Sequence, residues 1–234
     1  MEKTYYPDAK SLDKHLVSNY GAKDGETLVF YPGYVVDYNA DAVEWTDGPN
    51  HHNDVISSFS DSDDDECRIL KENVTSKSCS CQQHKHSKII YSDVVIPYDI
   101  AEKIHKKYDT IVLTRIIEHI PLKDYLYLFY QLSEICNMNG HLIITYPDMN
   151  SVVDVLNNTD VRTDHLKYIL YNIELFNEGE YHDLHKTFTN KHVIEQMGTC
   201  ENLFQLVTTS PLFAISNDRK VYRTSVFIRK TTGI

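Results

Sequence analysis

Apolar residues along this chain fall into short runs that alternate with stretches of helical spacing, and that alternation predicts an architecture before any motif does. Seven runs read as strands: His15 to Ser18, Tyr34 to Asp37, Ile89 to Val95, Thr110 to Thr114, His141 to Tyr146, Phe204 to Thr209 and Tyr222 to Ile228. The strongest helical pattern is PLKDYLYLFYQLSEICNMNG, residues 121–140, where Leu122, Leu126, Phe129, Leu132 and Cys136 recur at steps of three and four. Pro121 would open this helix and Gly140 would close it. A second helix, Asp99 to Lys107, would bury Ile100 and Ile104 and set Lys106 and Lys107 at its negative end. Further helices are expected at Ser151 to Leu156, at Asp164 to Leu175, and at Lys191 to Met197 with Thr189 or Asn190 as cap. Only SPLFAISNDRK separates the last two strands, too little for a crossover, so they should pair antiparallel. The pattern predicts an α/β fold: an open, mostly parallel seven-stranded sheet with helices on both faces and an antiparallel C-terminal hairpin.

Composition changes this picture in one place. Residues 47–88 turn polar, with an acidic run from Asp61 to Glu66 and few apolar side chains to offset the entropy of ordering them. They read as an insertion loop within a single domain of residues 1–234. The loop holds Cys67, Cys79, Cys81, His84 and His86, but one tight cluster lacks the two separated chelating pairs of zinc sites, and no metal is expected. Acidic residues number 34 against 23 Lys and Arg, a net charge of −11, which argues against a duplex nucleic acid partner. The start, MEKTYYPDAK, has no signal-peptide core, no apolar run is long enough to span a membrane, and the cysteines show no framework spacing. A cytoplasmic protein without disulfides or membrane association is expected.

Chemistry concentrates in YDTIVLTRIIEHIPLKDY and, one helix later, NGHLIITYPDMNSVVDVL. Ligands of open α/β sheets lie beyond the carboxyl ends of the strands, so Thr114, Arg115, Glu118, His119, Tyr146 and Asp148 should share one rim.

These segments, Asp109 to Pro121 and Gly140 to Asp148, resemble the class I, seven-stranded S-adenosylmethionine-dependent methyltransferases. The run DLHKTFTNKHVIEQM is similar to that family's histidine- and phenylalanine-bearing segment before its last helix. The resemblance implies a methyltransferase that uses S-adenosylmethionine and acts on a small-molecule, sugar or protein acceptor. It implies a glycine-rich turn after the first strand, an acid on the ribose hydroxyls after the second, and a polar residue near adenine after the third. By that alignment HLVSNYG takes the first position, so Asn19, Tyr20 and Gly21 become cofactor-binding candidates with Asp37, Tyr38, Asp93, Thr114 and Arg115. His119, Asp148 and His185 become the groups that could take the acceptor's proton. Val17, Ser18 and Asn19 stand where related proteins often carry Gly-x-Gly. That keeps an alternative open: a scaffold that has lost the cofactor and contacts a protein partner through the 47–88 insertion.

Overall fold

The computed structural model describes residues 5–31, 38–43, 90–91, 94–158, 185–215 and 220–230. The strand expected at Tyr34 to Asp37, the helix expected at Asp164 to Leu175, and the 47–88 insertion with its cysteines and histidines lie outside the described residues.

The first long element is a helix, α1 (Ala9–Tyr20), where a strand at His15 to Ser18 was expected. Asp8 starts it: its carboxylate accepts the Ser11 amide at 2.6 Å. Leu12 and Leu16 then bury one face, a helical step of four that a four-residue window conceals. The helix ends at Gly21, where a Cβ would stand 2.5 Å from the Val17 carbonyl oxygen, so only glycine fits.

The main sheet begins after this helix. Its strands are β2 (Thr27–Phe30), β3 (Asp41–Val43), β4 (Ile90–Tyr91), β5 (Tyr108–Thr114), β6 (Cys136–Pro147), β7 (Phe204–Thr209) and β9 (Tyr222–Arg229), in the order β4-β3-β2-β5-β6-β9-β7. Pairings from β4 through β6 are parallel, while β9 runs antiparallel to both β6 and β7. Two short strands, β1 (Tyr5–Tyr6) and β8 (Ala214–Ile215), pair separately in parallel. The expected strand at Ile89 to Val95 is confined to Ile90–Tyr91 among the described residues, because Val95 already enters a turn in which Asp99 accepts its amide.

Central strands carry continuous apolar runs because both faces are covered. On one face Leu28, Phe30, Ile111, Leu113, Leu142, Ile144 and Phe227 pack under α2 (Ile100–Lys103), α3 (Tyr125–Ile135) and α5 (Lys191–Thr199). On the other, Val29, Ala42, Val112, Ile143 and Val226 pack under α1 and α4 (Met149–Asn158). Helix α5 starts as expected, its Asn190 cap accepting the Val193 amide at 3.1 Å.

Three helix readings need correction. The segment 121–140 is helical only over α3, after a 3-10 turn at Leu122–Asp124, and Cys136 already belongs to β6. That turn rotates the helix, so Tyr125, Leu128, Phe129 and Leu132 are buried while Leu122 and Leu126 are exposed. Gly140 does not end a helix. It lies inside β6 beside Asn139 at φ 62°, where a Cβ would stand 2.8 Å from the Asn137 carbonyl oxygen. Helix α2 stops before Ile104, and Lys106 instead pairs with Asp41 at 2.8 Å and Glu26 at 2.9 Å.

Gly198 allows a clean test of packing against propensity. A Cβ there would lie 2.5 Å from the ring of Phe227, which is fully buried. Alanine in a helix interior is favoured over glycine by about 1 kcal/mol. Overpacking a closed core costs about 1–3 kcal/mol. Gly198→Ala is therefore expected to lower the melting temperature, and a rise would show that the Phe227 ring yields.

Candidate functional site

The chain adds β3 and β4 on one side of β2, then returns to add β5 on the other, so the topology reverses between β2 and β5. A crevice opens beyond the carboxyl ends of such strands, and it is where open α/β sheets bind ligands. Its two walls leave the sheet in the same unusual way. Tyr31, directly after β2, has φ 41°, and Arg115, directly after β5, has φ 59°. Left-handed backbone costs a bulky residue of order 1–3 kcal/mol and concentrates at functional sites. Here the surroundings hold it. The Tyr31 amide donates to Val43 O at 2.8 Å and its hydroxyl to Val94 O at 3.2 Å, while the Arg115 amide donates to Thr145 O at 2.9 Å.

The residues predicted for this cleft separate into groups. Thr114 and Arg115 stand at its β5 wall, and the Thr114 hydroxyl donates to fully buried Asp13 of α1 at 2.5 Å. Tyr38 is described and packs on the α1 face of the sheet, whereas Asp37 and Asp93 lie outside the described residues. Asn19, Tyr20 and Gly21 are not at the cleft. They form the last turn and cap of α1, and the next amide, Ala22, donates to the hydroxyl of Thr110, which pairs with Thr27 at the start of β2. The end of HLVSNYG thus sits at the amino edge of the sheet, opposite the rim formed by the carboxyl ends of the strands.

His119 and His185, far apart in sequence, do come together. The chain after β5 makes a 3-10 turn, Ile117–His119, and the segment 185–190 clamps it: the Lys186 and Thr187 amides donate to Glu118 O at 2.9 and 3.2 Å. The Thr187 hydroxyl adds a bond to Ile120 O at 2.6 Å. The two imidazole rings meet edge to face at 4.8 Å between centroids. One ligand atom from each of Glu118, His119 and His185 lies within 4.8 Å of the other two. Glu118 is 2% exposed, and its Oε2 has no hydrogen-bond partner among the described residues. Desolvation pushes its carboxyl up to about 7, with the Arg115 charge opposing.

Asp148 is engaged differently from the expectation that it takes a proton. One carboxylate oxygen pairs with Arg223 Nε at 2.5 Å, and the other accepts the Asn150 amide at 3.1 Å at the start of α4. Arg223 in turn donates to Ser210 O at 3.0 Å. The carboxylate ties β9 and the 210 loop to the end of β6, a structural task.

Sequence reading missed two parts of this site. Among the described residues the first parallel strand of the main sheet is the LVF run after Thr27, the next is Asp41–Val43, and the acid that follows it in sequence is Glu44. The signal was present in three consecutive apolar residues with Pro32-Gly33 close behind. Glu118 was placed at the rim but given no role, because its isolation from other polar groups shows only in three dimensions.

The fold is that of the methyltransferases. A glycopeptide N-methyltransferase, MtfA, complexed with S-adenosyl-L-homocysteine is similar to this chain with a TM-score of 0.59 and 11% identity, over 97% of this chain and 92% of that one. Magnesium protoporphyrin IX methyltransferase (ChlM) from Synechocystis PCC 6803 with bound S-adenosylhomocysteine gives 0.51 and 11%, over 95% and 82%. The N-methyltransferase NodS from Bradyrhizobium japonicum WM9 gives 0.50 and 9%, over 95% and 94%. No protein-family model matches the sequence, and no curated protein does. Among the described residues no helix is long and apolar enough to cross a membrane.

Proposed function

We propose that this chain is an S-adenosylmethionine-dependent methyltransferase acting on a small-molecule, sugar or protein acceptor. The observation that carries the reading is the reversal of strand order between β2 and β5, with left-handed Tyr31 and Arg115 turning the backbone away on either side of the crevice. S-adenosylmethionine, when bound, supplies an electrophilic methyl group on a sulfonium. The protein's own work is then alignment and exclusion of water. Phe30, Tyr31 and Leu113, where β2 and β5 end, are buried in the core that backs the crevice. Thr114 and Arg115 would hold the cofactor at the β5 side, with Tyr38 on the β3 side and with Glu44, which lies outside the described residues, following β3 in sequence. Glu44 replaces Asp37 as ribose acid in this reading because it follows the sheet's second parallel strand in sequence. His119 and His185, whose rings meet at 4.8 Å, would take the acceptor's proton when no cation engages them.

One observation favours the scaffold alternative. The connection from β2 to β3 is residues 31–40 alone, shorter than an ordinary crossover with its helix. Calorimetric titration of the purified chain with S-adenosylmethionine and S-adenosylhomocysteine decides between them. A dissociation constant below roughly 0.1 mM for either ligand is expected of the enzyme. Absence of both heat and thermal shift at millimolar ligand would leave the scaffold reading.

A further inference from the structure

The geometry points to a divalent transition-metal site formed by Glu118, His119 and His185. Their ligand atoms converge to within 4.8 Å of one another from two chain segments separated in sequence, which backbone hydrogen bonds from Lys186 and Thr187 hold together. The second observation is Glu118 itself. It is 2% exposed, and Oε2, among the described residues, accepts no hydrogen bond. A buried carboxylate oxygen in that state is costly unless something positive meets it. A cation bound between the carboxylate and the imidazoles supplies that charge.

The donor set selects the ion. Two imidazoles and one carboxylate suit zinc and its first-row neighbours, whereas magnesium and calcium take oxygen donors. A tetrahedral ion with bonds of about 2.1 Å needs donors roughly 3.4 Å apart, so donors now up to 4.8 Å apart close in by at most about 1.4 Å when it binds. Three protein ligands leave a coordination position open, the pattern of catalytic rather than structural zinc sites. The site lies on the loop leaving β5, one wall of the crevice, so that position would receive a donor atom of the methyl acceptor. That last role rests on the methyltransferase reading; the cation site itself does not.

The test is a Zn²⁺ titration of the full chain without S-adenosylmethionine, in a Cys67→Ser/Cys79→Ser/Cys81→Ser background so that the insertion's thiols cannot supply the ligands. Expected are one equivalent bound at micromolar affinity or tighter, Mg²⁺ weaker by at least 100-fold, and a rise in melting temperature with zinc. Glu118→Gln and His185→Asn should each weaken zinc binding at least 100-fold and lose the zinc-dependent rise while melting cooperatively without metal. Zinc affinity unchanged by either substitution, or Mg²⁺ bound as tightly as Zn²⁺, overturns the proposal. Should His185→Asn fail to fold, the near-isosteric Glu118→Gln decides alone. Cofactor titration is independent: zinc binding lost with S-adenosylmethionine binding intact sinks only the cation site, and the converse sinks only the enzyme.

Discussion

Replacing Arg223 with methionine is expected to lower the unfolding free energy by about 3 kcal/mol, seen as a fall in denaturant midpoint at constant slope. Asp148, 2% exposed, would keep its bond from the Asn150 amide but lose the guanidinium at 2.5 Å. Removing one partner of a buried pair generally costs about 3–5 kcal/mol, and the lower end applies because the arginine side chain is 23% exposed and water can reach its place. Arg223→Met combined with Asp148→Ala should recover part of the loss, since the second change removes the stranded charge. Recovery stays incomplete, because Asp148 also caps α4, worth about 1 kcal/mol. A single Arg223→Met variant as stable as the parent would release Asp148 from this structural task and return it to the list of proton acceptors.

The example shows what the sequence could and could not carry. Pro147-Asp148 after a strand was legible, and so was its place at the carboxyl rim, because strand direction and the helix that follows are local properties. Its partner was not. Arg223 belongs to β9, which pairs antiparallel with β6 and sets Arg223 opposite Tyr146. That register depends on long-range packing that no run of residues displays.

Elements with two covered faces or an unambiguous cap were legible: β5, the apolar core of β6, α5 with Asn190, and the antiparallel β7 and β9. Where the reading failed, competing local signals were at work. His15 to Ser18 looked like a strand because the window omitted Asp8 and Leu12, the cap and the first buried turn of α1. Missing the LVF run misplaced the first strand of the main sheet and with it the residues assigned to the turn that follows, while the third kept its place at Ile90–Tyr91. Glu118, His119 and His185 were each visible as residue types, but their convergence comes from the 185–190 segment crossing the β5 loop. A hydrogen-bonded crossing of that kind leaves no periodic trace.

The pairing of β3 directly with β2 leads to the sharpest prediction about the cofactor. Glu44→Ala is expected to weaken S-adenosylhomocysteine binding by about 10- to 100-fold, while Asp37→Ala changes it by no more than about 2-fold. In doubly wound sheets the acid that accepts the ribose hydroxyls follows the second strand of the nucleotide-binding half. Here β3 pairs with β2 in parallel through Leu28 and Asp41 and ends at Val43, so Glu44 follows it in sequence. Asp37 precedes β3 in sequence and lies outside the described residues. A hydrogen bond to a charged acceptor contributes about 1.5–3 kcal/mol, and tenfold in affinity is about 1.4 kcal/mol, which sets the range. Glu44→Gln should retain part of the affinity, because its amide oxygen still accepts one hydroxyl. The opposite ranking, with Asp37→Ala the damaging change, would mean that the ribose is held from the connection and that the chain departs from the strand-end rule at this cleft.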